Sequence, residues 1–326
     1  MNVAVLGAGA WGTALAKILV EGGHQVTIWA RHPDRVATLA TTGINERYLP
    51  GIRVAGLQRI ESDVDRASQN CECVVVAVPS KAFREVTRSL RNFRGILVSV
   101  TKGIEYDTGL TMCGVLGQTA PQAKRVALSG PTLALEVAKG IPTASVAAGD
   151  DEEARQTVQQ LFHRPSFRVY TSSDPLGVEL GGALKNVVAI AAGTGDGLGL
   201  GDNSKAALLT RGIVEIRRLG VACGAQAETF AGLSGLGDLT VTCYSKLSRN
   251  RMFGERVGRG ERPADIVAKS VAVAEGYPTA RAAYQLAQNL RVSTPIIDEV
   301  YAVLYEGKNV ARAFQDLTHR ETKAED

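Results

Sequence analysis

The sequence predicts a doubly wound α/β domain over residues 1–173, followed by an all-helical domain over residues 174–326. Three observations predict this fold class. In the first half of the chain, short apolar runs alternate with segments of helical periodicity. A glycine-rich turn directly follows the first apolar run. Beyond residue 174, helical periodicity continues while strand signals become few, so the helical part begins there.

The apolar runs of the first half are rich in β-branched residues and nearly continuous, as expected for strands buried on both faces of a sheet. They cover residues 2–7, 24–30, 73–80, 96–102, 125–130, 143–149 and 167–171. Strands that alternate with helices form a mostly parallel sheet, and the carboxyl ends of its strands line the ligand crevice. Residues at those ends are therefore candidates for a functional site.

Residues that are typical of helix starts recur along the second half of the chain. Asp174 and Pro175 form an N-cap and first-turn pair, which places the domain boundary next to them. Three more prolines stand where helices are expected to begin: Pro263, Pro278 and Pro295. A further helix is predicted over residues 203–219.

Composition excludes several classes of protein. A hydrophobic fraction of 45% and a charged fraction of 21% are ordinary for a globular chain, which argues against disorder, collagen and coiled coil. The net charge of +4 comes without a basic stripe, so we expect no nucleic-acid partner. We find no apolar stretch near the ~20 residues that span a bilayer, and no signal peptide, so we expect a cytoplasmic protein. The five cysteines and four histidines form no ligand cluster, so we expect no metal.

A glycine-rich motif carries the first functional signal. Residues 7–12 read G-A-G-A-W-G, which follows a predicted strand and precedes a predicted helix. Such glycines allow a tight turn and close approach of a pyrophosphate, whose negative charge the helix N-terminus stabilises. This context predicts a Rossmann-type dinucleotide site, and the alternative is a chance glycine-rich turn.

The end of the second strand bears on which dinucleotide is bound. A site that prefers NAD usually has Asp or Glu there, to bind the ribose 2′-hydroxyl. This chain has Arg31 and His32 instead, and a guanidinium suits a 2′-phosphate. We expect NADP(H) to be preferred, with NAD(H) possible. The alternative is that Arg31 is ordinary solvated surface.

Lys102, Lys185 and Asp238 are the candidate catalytic residues. Lys102 closes a buried strand, where its amine either enters the crevice or extends along the surface into solvent. Lys185 lies on an apolar helix after Gly181-Gly182, a pair that costs roughly 1 kcal/mol per glycine and indicates a close approach. Partial desolvation would lower the pKa of Lys185 toward a range useful for proton transfer. The alternative is a lysine at the rim of a helix interface. Asp238 could orient Lys185 or a hydroxyl group.

The segment S-R-N-R at residues 248–251 predicts an anion site. Ser248 is a candidate N-cap for a helix over residues 249–257. Backbone N–H groups, the positive end of the helix dipole and a guanidinium would converge there, so Arg249 and Asn250 suit a substrate phosphate. The alternative is an ordinary capped basic helix.

Over nearly its whole length the chain resembles bacterial NAD(P)-dependent glycerol-3-phosphate dehydrogenases. Besides the motifs above, the resemblance rests on V-T-K-G-I-E at 100–105, L-S-G-P-T at 128–132, G-A-L-K-N-V at 182–187 and G-L-S-G-L-G-D at 232–238. It implies that sn-glycerol 3-phosphate and dihydroxyacetone phosphate are interconverted with NAD(P)H, supplying glycerol 3-phosphate for phospholipid synthesis. A homodimer is expected from the family and because symmetric homo-oligomers are common.

The resemblance also implies roles for individual residues. Lys185 matches the family's proton donor and acceptor, and Lys102 matches a residue that reaches both cofactor and substrate. The implied substrate-binding residues are Lys102, Gly130, Thr132, Lys185, Asn186, Asp238, Thr242, Ser248, Arg249 and Asn250. The implied cofactor-binding residues are Gly7, Gly9, Ala10, Trp11, Gly12, Arg31, His32, Lys102, Ala134, Arg249, Val273 and Glu275.

Three alternative functions are distinguishable from this one. A dehydrogenase of a hydroxy acid or of phosphogluconate on the same two-domain plan would need a carboxylate clamp in place of the 248–251 segment. A non-catalytic NADP(H)-binding protein would not need Lys102, Lys185 and Asp238 together. A metal-dependent alcohol dehydrogenase would need a cluster of Cys and His ligands.

Overall fold

An eight-stranded sheet is the framework of the first half of the chain. The computed structural model describes residues 1–32, 34, 37–270 and 273–319. The strands of the sheet are β1 (Asn2–Leu6), β2 (Gln25–Trp29), β5 (Arg59–Glu61), β6 (Cys73–Val76), β7 (Ile96–Ser99), β8 (Lys124–Ser129), β9 (Thr143–Ala148) and β10 (Phe167–Ser172). A separate antiparallel hairpin consists of β3 (Ile44–Asn45) and β4 (Leu49–Arg53).

The strand order creates a ligand crevice at a defined position. The order is β10-β9-β8-β7-β6-β1-β2-β5, and all neighbours are parallel except β8 and β9. From β1 the chain moves outward to β2 and β5, then returns to β6 on the other side of β1. The direction of progression therefore reverses between β1 and β6, and ligands bind at such switch points beyond the carboxyl ends of the strands.

Helices cover both faces of this sheet. They are α1 (Ala10–Glu21), α2 (Ala37–Thr42), α3 (Val64–Ser68), α4 (Ser80–Thr87), α5 (Met112–Thr119), α6 (Ala134–Ala138) and α7 (Glu152–Phe162). Successive side chains of β1 enter two different cores, because Val3 and Val5 pack with α1 and α7 while Ala4 and Leu6 pack with α4 and α5. Burial on both faces explains the continuous apolar runs in the sequence.

The second half is helical and is organised around one long helix. Its helices are α8 (Pro175–Gly197), α9 (Asp202–Ala222), α10 (Asp238–Tyr244), α11 (Arg249–Gly258), α12 (Pro263–Lys269), α13 (Gly276–Leu290), α14 (Pro295–Tyr305) and α15 (Val310–Thr318). Asp174 caps α8 by accepting a hydrogen bond from the backbone N–H of Gly177 at 2.9 Å. The carboxylate of Asp174 also accepts bonds from Gln226 and Thr229, which fixes the start of α8 against the segment after α9.

Glycines allow the backbones of α8 and α11 to contact each other directly where the two helices cross. A Cβ added at Gly193 would overlap the carbonyl oxygen of Arg251, and one added at Gly254 would overlap that of Ile190. The same holds one turn further along, where Gly197 and Gly258 face the opposing backbone. The first turn of α11 is therefore held at a fixed place relative to α8, the helix that carries Lys185.

The structure confirms the predicted fold class, and each of the seven predicted strands has an observed counterpart. Pro263 and Pro295 are the first residues of α12 and α14, whereas Pro278 is the third residue of α13. The helix predicted over 203–219 corresponds to α9. Sequence analysis missed the short strands β3, β4 and β5, which carry few apolar residues.

One helix corrects the expectation about apolar stretches. Among the described residues, α8 is long and apolar enough to cross a membrane by length and composition. However, 89% of its most apolar window is buried inside the protein. The apolar character of α8 is therefore that of a core helix, and in the sequence its apolar run is interrupted by Glu179, Lys185 and Asn186.

Candidate active site

Two lysines share one buried carboxylate where α8 meets the sheet. Lys185 Nζ lies 2.9 Å from Asp238 Oδ1, and Lys102 Nζ lies 2.6 Å from Asp238 Oδ2. Asp238 is only 1% exposed, so both of its oxygens are occupied by ammonium groups instead of water. Lys185 also donates to Thr242 Oγ1 at 2.6 Å. The arrangement fixes the position of the Lys185 amine through two partners on α10.

Lys102 joins this cluster to the carboxyl ends of β7 and β8. Its amine donates to the carbonyl oxygen of Gly130 at 2.8 Å and to Thr132 Oγ1 at 3.3 Å. Gly130 has φ +150°, and a Cβ there would lie 3.0 Å from the carbonyl oxygen of Ala144. A glycine is required at this turn, which exposes its carbonyl to Lys102.

Burial sets the acid–base character of Lys185. Desolvation lowers the pKa of its amine to about 8, although the Asp238 carboxylate acts in the opposite direction. The positive charge of Lys102 also contributes to this lowering of the Lys185 pKa. An amine with such a pKa can gain or lose a proton near neutral pH, which suits general acid–base chemistry.

The glycine pair on α8 explains how Lys185 comes so close to the sheet. A Cβ at Gly182 would lie 2.6 Å from Ser129 Oγ on β8, and one at Gly181 would lie 2.8 Å from the carbonyl oxygen of Ser234. The helix approaches both neighbours because these positions have no side chain. The close approach indicated by the sequence is present in the structure.

Two asparagines link α8, α11 and α13 beside the lysine cluster. Asn250 donates to Asn186 Oδ1 at 2.8 Å and accepts from the backbone N–H of Gly276 at 2.9 Å. Asn186 in turn donates to the carbonyl oxygen of Lys102 at 3.4 Å. Both ends of the Asn250 amide are thus engaged within the protein, which fixes this side chain between α8 and α13.

The N-terminus of α11 has the cap that the sequence predicted. Ser248 is buried, and its Oγ accepts a hydrogen bond from the backbone N–H of Arg251 at 3.2 Å. Arg249 is exposed at the first helical position, and the negative charge of Glu275 acts on its guanidinium. A capped helix N-terminus beside an accessible guanidinium provides anion-binding geometry.

Glu275 connects the helical half to the sheet at the edge of the same cleft. Its carboxylate accepts hydrogen bonds from Ser80 Oγ at 2.6 Å and from the Ser80 backbone N–H at 3.2 Å. Burial raises the pKa of Glu275, while the bonds from Ser80 and the charge of Arg249 lower it. The contact ties the residue before α13 to the start of α4, just after β6.

The glycine-rich loop has the shape that a dinucleotide pyrophosphate requires. Gly7 has φ +123°, and a Cβ there would lie 2.5 Å from the carbonyl oxygen of Ala77, while a Cβ at Gly12 would overlap the loop itself. A Cβ at Gly9, the N-cap of α1, would meet nothing within 4 Å. Open space thus lies beside the helix N-terminus. Trp11 Nε1 is buried there without a hydrogen-bond partner among the described residues. These features fit a dinucleotide phosphate group.

The remaining predicted cofactor residues lie on several elements of the chain. Arg31 and His32 follow β2 and are exposed, and Arg31 Nη2 lies 3.1 Å from Glu85 Oε2 on α4. Ala10 is the first residue of α1 and Ala134 the first residue of α6. Val273 is 44% exposed.

A cavity of about 930 Å³ lies elsewhere, between the second half of α8 and helices α9, α14 and α15. None of the predicted site residues lines it. The chemistry of the side chains, and not the volume of this cavity, locates the candidate active site.

Three residues that were not predicted from the sequence are connected to the site in the structure. Asn45 is buried and donates to the glycine-rich loop, Glu85 pairs with Arg31, and Ser80 holds Glu275. Only Ser80 carried a signal, because Pro79-Ser80 marks the end of a predicted strand. The partners of Asn45 and Glu85 are distant in sequence, so no local pattern indicates them.

Comparisons with known proteins place the chain in one family. The family described as the NAD-dependent glycerol-3-phosphate dehydrogenase N-terminus matches residues 2–155, and the corresponding C-terminus family matches residues 174–315.

Individual relatives agree over the full length. The glycerol-3-phosphate dehydrogenase (NAD(P)+) of Syntrophotalea carbinolica is 48% identical, with 100% of this chain and 99% of the relative covered. That of Chlorobium limicola is 45% identical with the same coverage. The crystal structure of glycerol-3-phosphate dehydrogenase from Coxiella burnetii superposes with a TM-score of 0.94 at 36% identity, covering 98% of this chain and 99% of that chain. The chain therefore belongs to the NAD-dependent glycerol-3-phosphate dehydrogenase family.

Proposed function

We propose that this chain is an NAD(P)-dependent enzyme that interconverts sn-glycerol 3-phosphate and dihydroxyacetone phosphate. The observation that carries the proposal is the buried cluster in which Lys185 and Lys102 share the Asp238 carboxylate. The cluster lies at the carboxyl edge of the sheet, near the capped N-terminus of α11. Relatives that cover the whole chain bear the corresponding name.

Lys185 is the proton donor and acceptor in this proposal. When bound, NAD(P)H supplies the hydride that reduces the carbonyl carbon. Lys185 holds the proton at Nζ and gives it to the carbonyl oxygen during reduction, and the neutral amine takes it back from the hydroxyl group during oxidation. Lys102 places a second positive charge near the oxygen on which negative charge develops. Asp238 keeps both amines oriented through its hydrogen bonds. Its negative charge also raises the pKa of Lys185, so that the charged form is populated near neutral pH.

The phosphate of the substrate is assigned to the first turn of α11. The backbone N–H groups of Arg249 and Asn250 and the Arg249 guanidinium form the anion site, which Ser248 stabilises as N-cap. Binding this remote group orients the three-carbon chain, so that interactions far from the reacting carbon contribute to the rate. We assign four residues to substrate positioning because they contact these groups. Gly130 and Thr132 accept hydrogen bonds from Lys102, Thr242 accepts from Lys185, and Asn186 accepts from Asn250.

The dinucleotide is assigned to the glycine-rich loop and its neighbours. Gly7 and Gly12 allow the tight turn of the loop, Gly9 leaves open space for the pyrophosphate, and Ala10 and Trp11 belong to the first turn of α1. Arg31 is assigned to the 2′-phosphate, which gives a preference for NADP(H), and His32 lies beside it. Ala134, Val273 and Glu275, together with Lys102 and Arg249, are assigned to the nicotinamide side.

The proposal also covers the domain organisation, the location and the oligomeric state of the protein. We assign residues 1–173 to the cofactor domain and 174–326 to the substrate domain, because β10 ends at Ser172 and α8 begins at Pro175. We further propose a cytoplasmic homodimer that supplies glycerol 3-phosphate for phospholipid synthesis, on the strength of the family resemblance.

Replacing Lys185 with Ala is expected to lower kcat for reduction of dihydroxyacetone phosphate by on the order of 10²–10⁴, because the general acid is lost. Absorbance of NADPH at 340 nm measures the rate.

The reductive kcat/KM of the unmodified enzyme should also fall as pH rises through about 8, since the Lys185 ammonium is lost there, while the oxidative rate should rise.

Lys124→Ala provides the matched control. Lys124 is also paired with two carboxylates, those of Asp151 and Glu153, but on the protein surface. It should retain normal turnover. Turnover close to that of the unmodified enzyme in Lys185→Ala would refute the assignment of the proton donor.

Replacing Arg249 with Ala is expected to raise the KM for dihydroxyacetone phosphate by roughly 10- to 100-fold, because charge-assisted hydrogen bonds to the phosphate are lost. Unphosphorylated dihydroxyacetone is the control substrate, and its kcat/KM should change much less. A change confined to the KM of the coenzyme would argue against a phosphate clamp.

Replacing Arg31 with Glu is expected to lower the ratio of kcat/KM with NADPH to kcat/KM with NADH by about tenfold or more, because a carboxylate repels the 2′-phosphate. Arg91→Glu makes the same change of charge at another exposed position and should leave the ratio unaltered. An unchanged ratio in Arg31→Glu would leave the proposed preference without a basis.

A further inference from the structure

We propose that Asn45 is a positioning residue for the coenzyme, which acts by fixing the orientation of the Ala8–Gly9 peptide in the glycine-rich loop. The inference rests on the proposed dinucleotide site but adds a residue outside the G-x-G-x-x-G motif. Asn45 is the last residue of the two-residue strand β3, and it is completely buried.

Three hydrogen bonds hold the Asn45 side chain. Its amide nitrogen donates to the carbonyl oxygen of Ala8 at 2.9 Å and to Thr13 Oγ1 at 2.8 Å. Its amide oxygen accepts from the backbone N–H of Tyr48 at 3.3 Å. The chemistry of the partners fixes this orientation of the amide, because a backbone carbonyl only accepts and a backbone N–H only donates. The β3–β4 hairpin is thereby attached to the loop and to the first turn of α1.

The bond to Ala8 determines where the next N–H group points. A peptide group is planar and trans, so the Ala8 carbonyl and the Gly9 N–H lie in one plane and point in opposite directions. Asn45 holds the carbonyl on its own side, and the Gly9 N–H is therefore directed away from the hairpin. Gly9 borders open space at the N-terminus of α1, where we assign the pyrophosphate.

This restraint matters because the loop is rich in glycine. Glycine populates a wide range of backbone angles, so peptides beside Gly7 and Gly9 would otherwise adopt several orientations before the ligand binds. Holding one orientation in advance reduces the ordering cost of binding. The second bond, to Thr13, holds the same side chain against the first turn of α1, the helix whose N-terminus we assign to the phosphates.

Two probes separate this role from a general contribution to folding. The probe 2′-AMP carries the adenosine and its 2′-phosphate but no pyrophosphate, whereas NADP+ carries both. We expect Asn45→Asp to raise the Kd of NADP+ by about tenfold, since the isosteric carboxylate cannot donate to Ala8. The Kd of 2′-AMP should stay within about twofold. Isothermal titration calorimetry measures both constants on the full chain.

Two further variants complete the experiment. Asn45→Ala removes the same donor without burying a charge, and should shift the ratio of the two Kd values in the same direction. Asn289→Asp makes the same substitution on the exposed side of α13 and should leave both constants unchanged. Circular dichroism and Tm verify that each variant is folded.

The possible results have distinct meanings. Selective weakening of NADP+ in the Asn45 variants supports the inference. Equal weakening of both probes, or an unchanged ratio, would overturn it, because a structural role alone would not distinguish the pyrophosphate. If the unmodified protein bound neither probe and reduced dihydroxyacetone phosphate with neither NADPH nor NADH, the proposed function itself would fail.

Discussion

The Asp238 carboxylate, shared by two ammonium groups, is the interaction on which the site depends. A buried carboxylate without partners would be unfavourable, because its charge is removed from water. Two ammonium groups beside each other, without a carboxylate between them, would repel. Asp238 offsets part of the charge of both ammonium groups, and the two ion pairs join the first turn of α10 to α8 and to the end of β7. The same contact therefore stabilises the junction of the two halves and positions the amine that we assign to proton transfer. Removing Asp238 would leave two neighbouring ammonium groups without a carboxylate partner.

Backbone contacts at glycines supply the geometry around these charges. Gly182 brings α8 against β8, and Gly193 brings α11 against α8. Because helices and strands meet there without intervening side chains, the distance between Lys185 and the start of α11 is set by main-chain packing. A rigid spacing of this kind suits a small substrate that must be held at its phosphate and at its reacting carbon together.

Sequence patterns predicted much of the fold, since the signals involved are local. Continuous apolar runs marked the buried strands, and Asp174 and Ser248 marked helix starts through their capping chemistry. They also placed Lys102 at a strand end. What they did not predict depends on contacts between distant segments. The bond from Asn45 to Ala8 spans 37 positions, and the bond from Lys102 to Asp238 spans 136. The sequence made Lys185 a candidate for a lowered pKa and Asp238 a candidate partner, but the depth of its burial and its bond to Thr242 became visible only in three dimensions.

The most direct measurement is a crystal structure of the ternary complex with NADP+ and sn-glycerol 3-phosphate. We expect Lys185 Nζ at hydrogen-bond distance, roughly 3 Å, from the oxygen of the secondary hydroxyl group, with the phosphate against the first turn of α11. An amine more than about 5 Å from that oxygen, or a substrate bound in the reverse direction, would contradict the account.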